Sequence, residues 1–404
     1  MKILMLSSTY PRWPHDTLPP FVHELAKRLV TLGLEVTVLT PHIPGASVHD
    51  VLDGVPVRRF RYGPDSLEQL AGPGGMMGRI REQPRRLLLV PLFLVALALA
   101  ISRILRTGQY SLIHAHWLIP QGFIAAFINR LVSHRSIPLL CTSHGGDLFA
   151  LRSPVFRWAR IWLGRTAAHV TVVSQFMREV LIKEGLDASK VSVLSMGVDL
   201  KKVFVPQFEV ERNPGRLIFV GRLVEKKGVR YLLEAYAHLI KEFPELGIRV
   251  IGDGPERNAL RALATGFGLD PEAIFMGAKA PAELPALYSS AAIAVVPSVV
   301  DGFGDQEGLG LVTIEAMGCG CAVVASDLPA IRDVVVHERN GLLARTGDYK
   351  DLAKQIRKLL LNPSLGERLV AQARLDVCER FDWNSITSRY VDLYSSLVAE
   401  MKHV

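Results

Sequence analysis

The sequence is poor in cysteine. Its 404 residues include 4 Cys, and none of them forms a C-x-x-C pair. The single C-x-C, Cys319 and Cys321, lacks a second half, so neither a zinc site nor a disulfide framework is expected. The composition is that of a protein with reduced thiols, and we expect a cytoplasmic location.

Signals for secretion and for nucleic-acid binding are also lacking. The N-terminal MKILMLSS has one Lys and no long apolar core, which is typical of a first strand rather than a signal peptide. The net charge is +8, but no nucleic-acid motif or aromatic–basic repeat accompanies it. Nucleotide phosphates or an anionic membrane surface are therefore the expected partners, and nucleic acid is not.

An α/β chain of two domains is predicted. The 404 residues, 49% of them apolar, suffice for two ordinary cores. Residues 2–7 and 35–40 are typical of buried strands around a helix at 21–31, a βαβ opening that predicts a parallel sheet. Residues 200–214 contain two Pro, mixed charge and no periodicity, so we place a linker there, between domains at 1–199 and 215–380.

The most informative stretch is DGFGDQEGLGLVTIEAM, residues 301–317. An acidic, Gly-rich loop becomes apolar at Leu311 and stops at Gly318, which predicts a loop and a short helix after a buried strand. A helix N-terminus beyond the carboxyl end of a strand suits a phosphate. Glu307 and Glu315 frame the element, and a carboxylate can accept hydrogen bonds from two vicinal sugar hydroxyls.

These residues resemble the family 4 retaining glycosyltransferases. The family's EGLP-type loop and its E-x7-E pair correspond to Glu307-Gly308-Leu309-Gly310 and to Glu315. The resemblance implies the GT-B arrangement, in which two Rossmann-like domains with parallel sheets face an interdomain cleft. The first domain would bind the acceptor and the second a nucleotide-diphospho-sugar, and a terminal helix in 381–404 would return to the first domain.

The start of the second domain carries the predicted phosphate site. RLIFVGRLVEKKG, residues 216–228, predicts a buried strand that ends at Gly221 and Arg222, with Lys226, Lys227 and Gly228 opening a helix. Lysines at a helix N-terminus oppose its dipole, so a compensating anion is expected. The resemblance assigns the donor diphosphate to Arg222 and Lys227. Donor contacts are also expected, by the same resemblance and by position at strand ends, from Gly221, Gly252, Met276, Gly277, Gly308, Leu309, Gly310 and Glu315.

Two histidine motifs follow strands of the first domain. PLLCTSHGGDLF, residues 138–149, ends in His144-Gly145-Gly146-Asp147, and the resemblance places His144 beside the donor sugar. His144 and Glu307 are thus the predicted catalytic residues, with Glu307 on the sugar hydroxyls and Glu315 on the ribose. In SLIHAHW we expect His114 and His116 to point to opposite faces of their strand, as packing residues rather than metal ligands.

One loop departs from the family pattern. Leu18-Pro19-Pro20 stands where many relatives have Gly-Gly before the first helix. Proline supplies neither a positive φ nor an N–H group, so no phosphate contact is assigned to this loop.

Residues 79–106 allow two interpretations. Six arginines flank an uncharged run at 87–102, whose sixteen residues span only about 24 Å as a helix, short of a hydrocarbon core of roughly 30 Å. Because Pro91 also lies inside the run, we do not expect a transmembrane helix. The run is a buried core helix, or it is an apolar surface with a basic rim that docks on the anionic inner face of the plasma membrane. Both hold if one face of the helix packs inward and the other faces lipid.

The expected reaction is glycosyl transfer with retention, without a metal cofactor. Asp301 and Asp305 are four residues apart and form no D-x-D motif. Charge on the leaving nucleoside diphosphate would be neutralised by Arg222, Lys227 and backbone N–H groups near Gly308–Gly310. The expected acceptor is a polyprenyl-linked or other saccharide in cell-surface polysaccharide assembly. A nucleotide-sugar epimerase of the same architecture, or a non-catalytic peripheral membrane protein that binds sugar nucleotides, remains the alternative; a phosphorylase would need a pyridoxal-phosphate lysine that we do not identify.

Overall fold

The computed structural model of the chain describes residues 1–14, 16, 18, 20–72, 74–132 and 137–401. These form two compact units, the first made of 1–197 together with 386–404, and the second of 198–385. Pro19 of the loop before the first helix lies outside the described residues.

The first unit contains an eight-stranded sheet in the order β3-β4-β2-β1-β5-β6-β7-β8. All neighbours pair in parallel except β3 and β4, which form an antiparallel hairpin with Asp53 and Gly54 at its turn. The strands are β1 (Lys2–Leu6), β2 (Glu35–Pro41), β3 (His49–Leu52), β4 (Val55–Phe60), β5 (Leu112–His116), β6 (Leu139–Ser143), β7 (His169–Val172) and β8 (Val191–Val193).

Helices cover this sheet. They are α1 (Phe21–Thr31), α2 (Gly75–Glu82), α3 (Val90–Thr107), α4 (Phe123–Val132), α5 (Gly146–Phe149), α6 (Pro154–Thr166) and α7 (Gln175–Glu184), with 3-10 turns at Pro84–Leu89 and Ala188–Lys190 and a π-turn at Leu118–Gly122. The predicted first helix is confirmed over 21–31, because its buried residues Val22, Leu25, Ala26 and Leu29 recur with helical spacing.

The second unit contains a six-stranded, fully parallel sheet in the order β11-β10-β9-β12-β13-β14. Its strands are β9 (Asn213–Val220), β10 (Gly247–Ile251), β11 (Phe275–Gly277), β12 (Ala291–Val296), β13 (Ala322–Ser326) and β14 (Leu342–Ala344). Val295 and Val324 are at most 1% exposed, as expected of strands covered by helices on both faces.

The helices of the second unit alternate with these strands. They are α8 (Val229–Leu239), α9 (Arg257–Gly266), α10 (Pro271–Ile274), α11 (Leu284–Ser289), α12 (Leu311–Gly318), α13 (Pro329–Arg332), α14 (Tyr349–Leu361) and α15 (Pro363–Phe381), with 3-10 turns at Glu225–Lys227 and Pro281–Glu283. The predicted order of strand, acidic loop and short helix around 293–318 is confirmed by β12 and α12.

The segment 200–214, expected to be a linker, is part of the second unit. Leu200 is fully buried, and β9 already begins at Asn213. The Arg212 guanidinium donates to the carbonyl oxygens of Ser289 at 3.2 Å and Cys319 at 2.9 Å. Arginine bonds to distant carbonyls leave no periodic signal in the sequence, which is why this segment resembles a linker.

The last helix, α16 (Trp383–Glu400), passes from one unit into the other. The first unit takes the chain from Ile386 onward. Tyr390 and Tyr394 are fully buried, and the Tyr394 hydroxyl lies 2.8 Å from His114 Nδ1 of β5. The end of the chain therefore completes the core of its beginning.

The stretch Pro84–Thr107 is one continuous helical run of 24 residues. Among the described residues it alone is long and apolar enough to cross a membrane by length and composition, with a mean hydropathy of 2.5. At 1.5 Å per residue it reaches about 36 Å, so the length argument against a span is wrong. What opposes a span is its inner face, where Phe93 is fully buried with its ring 5.3 Å from those of Phe60 and Tyr62.

Candidate functional site

The predicted donor residues lie at one edge of the second sheet, beyond the carboxyl ends of its strands. β9 leads into Gly221 and Arg222, β10 into Gly252, and β12 into the loop that contains Glu307. The strand order reverses between β9 and β12, since β10 and β11 lie on one side of β9 while β12 to β14 lie on the other. Ligands of open α/β sheets bind at such a switch point.

Two glycines allow these loops to approach each other closely. A Cβ on Gly252, at φ +137°, would lie 1.9 Å from the Gly221 carbonyl oxygen. A Cβ on Gly228, at φ +65°, would lie 1.9 Å from the carbonyl oxygen of Pro297. Any side chain at these positions would separate the strand ends, so both glycines are required by packing. Gly277 closes the edge, where its carbonyl accepts from Gly252 N at 2.9 Å.

Adjacent lysines pair with two acids of the loop. Lys227 Nζ lies 2.7 Å from Glu307 Oε1, and Lys226 Nζ lies 3.1 Å from Asp305 Oδ2. The compensating anions expected for these lysines are thus supplied by the chain itself. Both ion pairs join the turn after β9 to the loop after β12. These two loops lie on opposite sides of the switch point.

Glu307 is a carboxylate in this setting. Burial alone would raise the pKa of Glu307, but the charges of Lys227 and Lys226 outweigh it and lower that pKa. With both side chains at most 15% exposed, neither partner can find water as a substitute. Glu307 and Lys227 therefore form one electrostatic unit, and a ligand that takes one must also satisfy the other.

Backbone hydrogen bonds fix the rest of the loop. Gly302 N donates to Glu225 Oε1 at 3.1 Å, and Asp301 Oδ1 accepts from Phe303 N at 2.9 Å and Asp305 N at 2.8 Å. Val299 N donates to the Lys226 carbonyl oxygen at 2.8 Å. The position of Glu307 is thus set by the loop before it.

The helix α12 begins directly after this loop. Gly310, at φ +84°, is its N-cap, Leu309 is 5% exposed, and Gly308 joins them to Glu307. The first N–H groups of a helix have no acceptor within it, so they can donate hydrogen bonds to an anion. This end of α12 lies at the same edge of the sheet as Lys227.

Glu315 lies one turn into α12 and has a different partner. Its Oε2 accepts from the Tyr288 hydroxyl at 3.3 Å. Burial raises the pKa of Glu315 to about 7, although Tyr288 and Lys227 act to lower it. Glu315 therefore changes charge near neutral pH, whereas Glu307 stays ionised. Met276, 36% exposed, precedes Gly277 at the end of β11 on the same edge of the sheet.

His144 of the first unit belongs to a cluster of imidazoles. Its Nε2 lies 3.0 Å from His116 Nδ1, the two rings are stacked at 5.2 Å, and Phe21 and Trp117 each approach His144 at 4.9 Å between ring centroids. Burial lowers the pKa of His144 to about 3, so the ring is neutral at physiological pH. It can donate or accept a hydrogen bond, but it carries no charge.

The prediction that His114 and His116 point to opposite faces is wrong. Their ring centroids lie 4.1 Å apart, because residues two apart on a strand share a face. His114 Nε2 lies 2.7 Å from Thr142 Oγ1, while His116 Nε2 is buried and has no hydrogen-bond partner within the part of the chain that the structure describes. Burial lowers the pKa values of both rings, that of His114 to about 3. Their assignment as packing and hydrogen-bonding residues agrees with these contacts.

The acid of the H-G-G-D motif has a structural position. Asp147 is 3% exposed, accepts from the Ser143 hydroxyl at 2.7 Å and also accepts from Leu118 N. It ties the loop after β6 to the turn after β5, which fixes the backbone on both sides of His144.

Among the described residues, one group has the composition of a metal site. Ligand atoms of His42, Asp65 and Glu68 lie within 4.8 Å of one another. Arg61 pairs with both carboxylates, and His42 Nδ1 contacts Glu68. The Arg61 guanidinium thus already places a cation beside both carboxylates, and the group belongs to the first unit, whereas the donor edge belongs to the second.

Sequence reasoning missed Asp305, Tyr288 and His116. Asp305 and Tyr288 are far along the chain from Lys226 and Glu315, so no local pattern joins them. The position of His116 could have been predicted. The strand period places it on the same face as His114, and β5 lies next to β6, whose end carries the HGGD motif.

Comparisons with known proteins agree with this arrangement. Residues 202–376 match the sequence profile of the glycosyl transferases group 1, and residues 20–202 match that of Glycosyltransferase Family 4. The chain therefore belongs to the family 4 type of glycosyltransferase, and it is an enzyme of that class with the GT-B fold.

Individual relatives match along nearly the whole chain. A glycogen synthase of Mycobacterium tuberculosis is 25% identical over 98% of this chain and 94% of its own length. A D-inositol 3-phosphate glycosyltransferase of Nocardioides sp. is 29% identical over 95% of this chain and 85% of its own.

Solved structures show the same fold. The sucrose-phosphate synthase of Thermosynechococcus elongatus superposes with a TM-score of 0.79 at 23% identity, covering 99% of each chain. HepE of Anabaena, solved in complex with UDP, superposes with a TM-score of 0.74 at 22% identity, covering 98% of this chain and all of its own.

Proposed function

We propose that this enzyme moves a sugar, with retention at the anomeric carbon and without a metal ion, from a nucleotide-diphospho-sugar to a lipid-linked saccharide. The observation that carries the donor half is the pairing of Lys227 with Glu307 at 2.7 Å across the switch point of the second sheet. One side chain suits a diphosphate and the other suits sugar hydroxyls, and they lie side by side.

Each predicted residue has a role in this proposal. Arg222 and Lys227 neutralise the leaving diphosphate, together with the N–H groups at the start of α12. Glu307 accepts from hydroxyls of the donor sugar, and Glu315 accepts from the ribose. His144 is the residue of the first unit that contacts the donor sugar during transfer, through a neutral imidazole.

The reaction exchanges one bond at the anomeric carbon. The bond to the diphosphate oxygen breaks, and the nucleoside diphosphate leaves with its electron pair. A bond to the acceptor hydroxyl oxygen forms on the same face of the sugar, and the hydroxyl gives its proton to the departing diphosphate oxygen. Charge develops on the diphosphate, where two side-chain cations and a helix N-terminus are preorganised, so that charge stabilisation does not call for Mg²⁺.

The donor is supported by the comparisons at a coarser level. HepE was solved with UDP and with UDP-glucose, and we extend to this chain only a nucleotide-sugar donor. Gly252, Met276 and Gly277 at the ends of β10 and β11 are the proposed neighbours of the nucleoside. Thermal-shift screening against UDP-, GDP- and ADP-sugars identifies the base, because at equal concentration the donor that binds more tightly raises the melting temperature further.

Product analysis tests the chemistry. NMR of the product should show the anomeric configuration of the donor, and transfer should continue undiminished in EDTA. An inverted product contradicts retention, and abolition by EDTA contradicts the metal-free claim. A donor-only incubation that changes the sugar stereochemistry would indicate an epimerase, while tight donor binding with no turnover would indicate a non-catalytic protein.

A further inference from the structure

The first unit carries an unusual run of one charge sign. Residues 83–178 include 11 Arg, no Lys and a single acid, Asp147. Asp147 is buried, and Arg160 of the run is also buried and pairs with Glu184 from outside the run. The exposed charges contributed by this stretch are therefore positive.

Three helices of this run lie on the same face of the first sheet. The connections from β4 to β5, from β5 to β6 and from β6 to β7 all move in one direction along the strand order. Because crossovers between parallel strands are right-handed, α3, α4 and α6 fall on one face. Contacts of α3 with α4 and of α4 with α6 agree with this placement.

The outer side of α3 is an apolar stripe that ends in arginine. Leu92, Val95 and Leu99 are 49%, 59% and 51% exposed, and Arg103 and Arg106 continue the same spacing of three or four residues. The inner side is packed in the core, as Phe93, Leu97 and Ile101 show. The helix thus lies along the surface of the unit with one apolar side outward, over a length of about 20 Å.

The neighbouring helices extend this surface. Phe127 and Leu131 of α4 are 49% and 67% exposed, and Val155 and Trp158 of α6 are 69% and 59% exposed. The ring of Phe123 on α4 lies 6.2 Å from that of Trp158, which joins the two helices. We call the outer sides of α3, α4 and α6 the arginine face; its exposed arginines include Arg103, Arg106, Arg130, Arg152, Arg157 and Arg165.

We propose that the arginine face docks on an anionic phospholipid bilayer, with its leucines and aromatic rings in the interfacial layer and its arginines on lipid phosphates. Apolar side chains with a basic rim are the chemistry of interfacial binding. Contiguous exposed apolar surface on this scale is rare in a soluble monomer unless something covers it. The proposal goes beyond the proposed reaction, since docking needs neither donor nor acceptor.

Charge complementarity selects the lipid over the other occupants. A second copy of this chain would bring arginine against arginine across a two-fold axis, which is repulsive. A nucleic-acid backbone offers nothing to the leucine stripe. A transmembrane orientation would remove Phe93, Leu97 and Ile101 from the core that they complete.

Vesicle flotation tests the proposal on the full chain. We expect binding to phosphatidylcholine vesicles that contain about 30 mol% phosphatidylglycerol, weak binding to pure phosphatidylcholine, and loss of binding as salt rises past about 0.15 M. The charge variant Arg103→Gln/Arg106→Gln should weaken binding about 25-fold, at roughly fivefold per arginine. The apolar variant Leu92→Glu/Leu99→Glu should weaken it at least tenfold.

Matched controls lie in the second unit. Lys241→Gln/Lys354→Gln removes the same charge from exposed positions, and Leu375→Glu changes a residue that is 67% exposed; both should bind as the parent does. Circular dichroism and the melting temperature establish that each variant is folded. If Leu92→Glu/Leu99→Glu does not fold, the charge variant and the salt series decide the question.

Several outcomes would overturn the proposal. These are equal binding to neutral and anionic vesicles, no binding at all, or equal losses in the controls. A dimer in light scattering that Leu92→Glu/Leu99→Glu dissociates would assign the face to a second copy. A chain that binds vesicles yet transfers no sugar would contradict the proposed reaction alone.

Discussion

The two units bury polar clusters by opposite means. In the second unit, Lys226 and Lys227 form ion pairs with Asp305 and Glu307. In the first unit, His114, His116 and His144 are kept neutral by burial and share hydrogen bonds among rings and hydroxyls. A charged cluster can exchange partners with a charged ligand, whereas a neutral one can offer only shape and hydrogen bonds. The difference is what the proposed function requires, with a diphosphate bound by the second unit and a saccharide by the first.

Removing the cations of the second unit should have the largest effect. Arg222→Ala/Lys227→Ala should lower kcat/KM by about 10³-fold or more, because charge on the leaving diphosphate loses its stabilisation. Steady-state kinetics with the donor found in the thermal-shift screen measure this. Lys241→Ala, an exposed lysine of the same unit, serves as the control and should be unaffected. Full activity of the double variant would refute the phosphate assignment.

A second pair of variants separates the effect of the Lys227–Glu307 ion pair on stability from its effect on catalysis. Lys227→Met leaves Glu307 buried without its partner and should lower the free energy of unfolding by about 3 kcal/mol. Lys227→Met/Glu307→Gln removes both charges and should recover most of that loss, as urea titration can measure. Neither variant should regain turnover. Recovery of activity in the double variant would mean that the pair is structural only.

The neutral cluster of the first unit should make that unit sensitive to acid. Folding lowers the pKa values of His114 and His144 from the ordinary value near 6.5 to about 3. Between these pH values both rings are protonated in the unfolded chain and neutral in the folded chain. The free energy of unfolding is therefore highest above about pH 6.5. It falls as the pH is lowered toward 3, by about 1.4 kcal/mol per pH unit for each ring.

Tryptophan fluorescence can follow this loss. Four of the five Trp, at positions 13, 117, 158 and 162, belong to the first unit. His114→Gln should flatten the slope of stability against pH between 6.5 and 3, whatever its effect at pH 7. An unchanged slope would show that the cluster is not what titrates.

The smallest effect concerns Glu315 alone. Because burial raises the pKa of Glu315 to about 7, the carboxylate is ionised above this value and protonated below it. Affinity for the nucleotide should therefore fall about tenfold between pH 8 and pH 6 if the carboxylate accepts from the ribose hydroxyls. Calorimetry at both pH values measures this, and Glu315→Gln should show a flat profile.

Tyr288→Phe refines this last test. The Tyr288 hydroxyl helps to lower the pKa of Glu315, so its removal should move the midpoint of the affinity profile to higher pH. A midpoint that stays in place would separate the profile from Glu315.

How far the sequence predicts the structure depends on the range of the interactions. The helix at 21–31 and the turn at Asp53 and Gly54 follow from periodicity and turn chemistry, both of which act within a few residues. The strand-end placement of Arg222, Lys227 and Glu307 follows from the alternation of strands and helices. These parts of the site could be predicted because they depend on local pattern and on topology.

The parts that could not be predicted depend on partners far apart in the chain. Lys226 and Asp305 are separated by 79 residues, and Arg212 and Cys319 by 107. Both faces of α3 are apolar, so composition alone does not say which one meets the core. The His114 prediction failed for another reason: the period of a strand was misapplied, and the sequence contained what was needed to avoid it.

The return of α16 to the first unit has a consequence for biosynthesis. The His114 ring meets the Tyr394 hydroxyl at 2.8 Å, so β5 lacks one of its neighbours until the ribosome has passed Tyr394. At 5 to 20 residues per second, the 188 residues of the second unit take about 10 to 40 s to synthesise. During that interval the N-terminal part of the first unit is synthesised but lacks α16, so the surface against which α16 packs is exposed. A chain truncated before Ile386 would leave that surface exposed permanently, and its earliest part, rather than its latest, would be the one to lose structure.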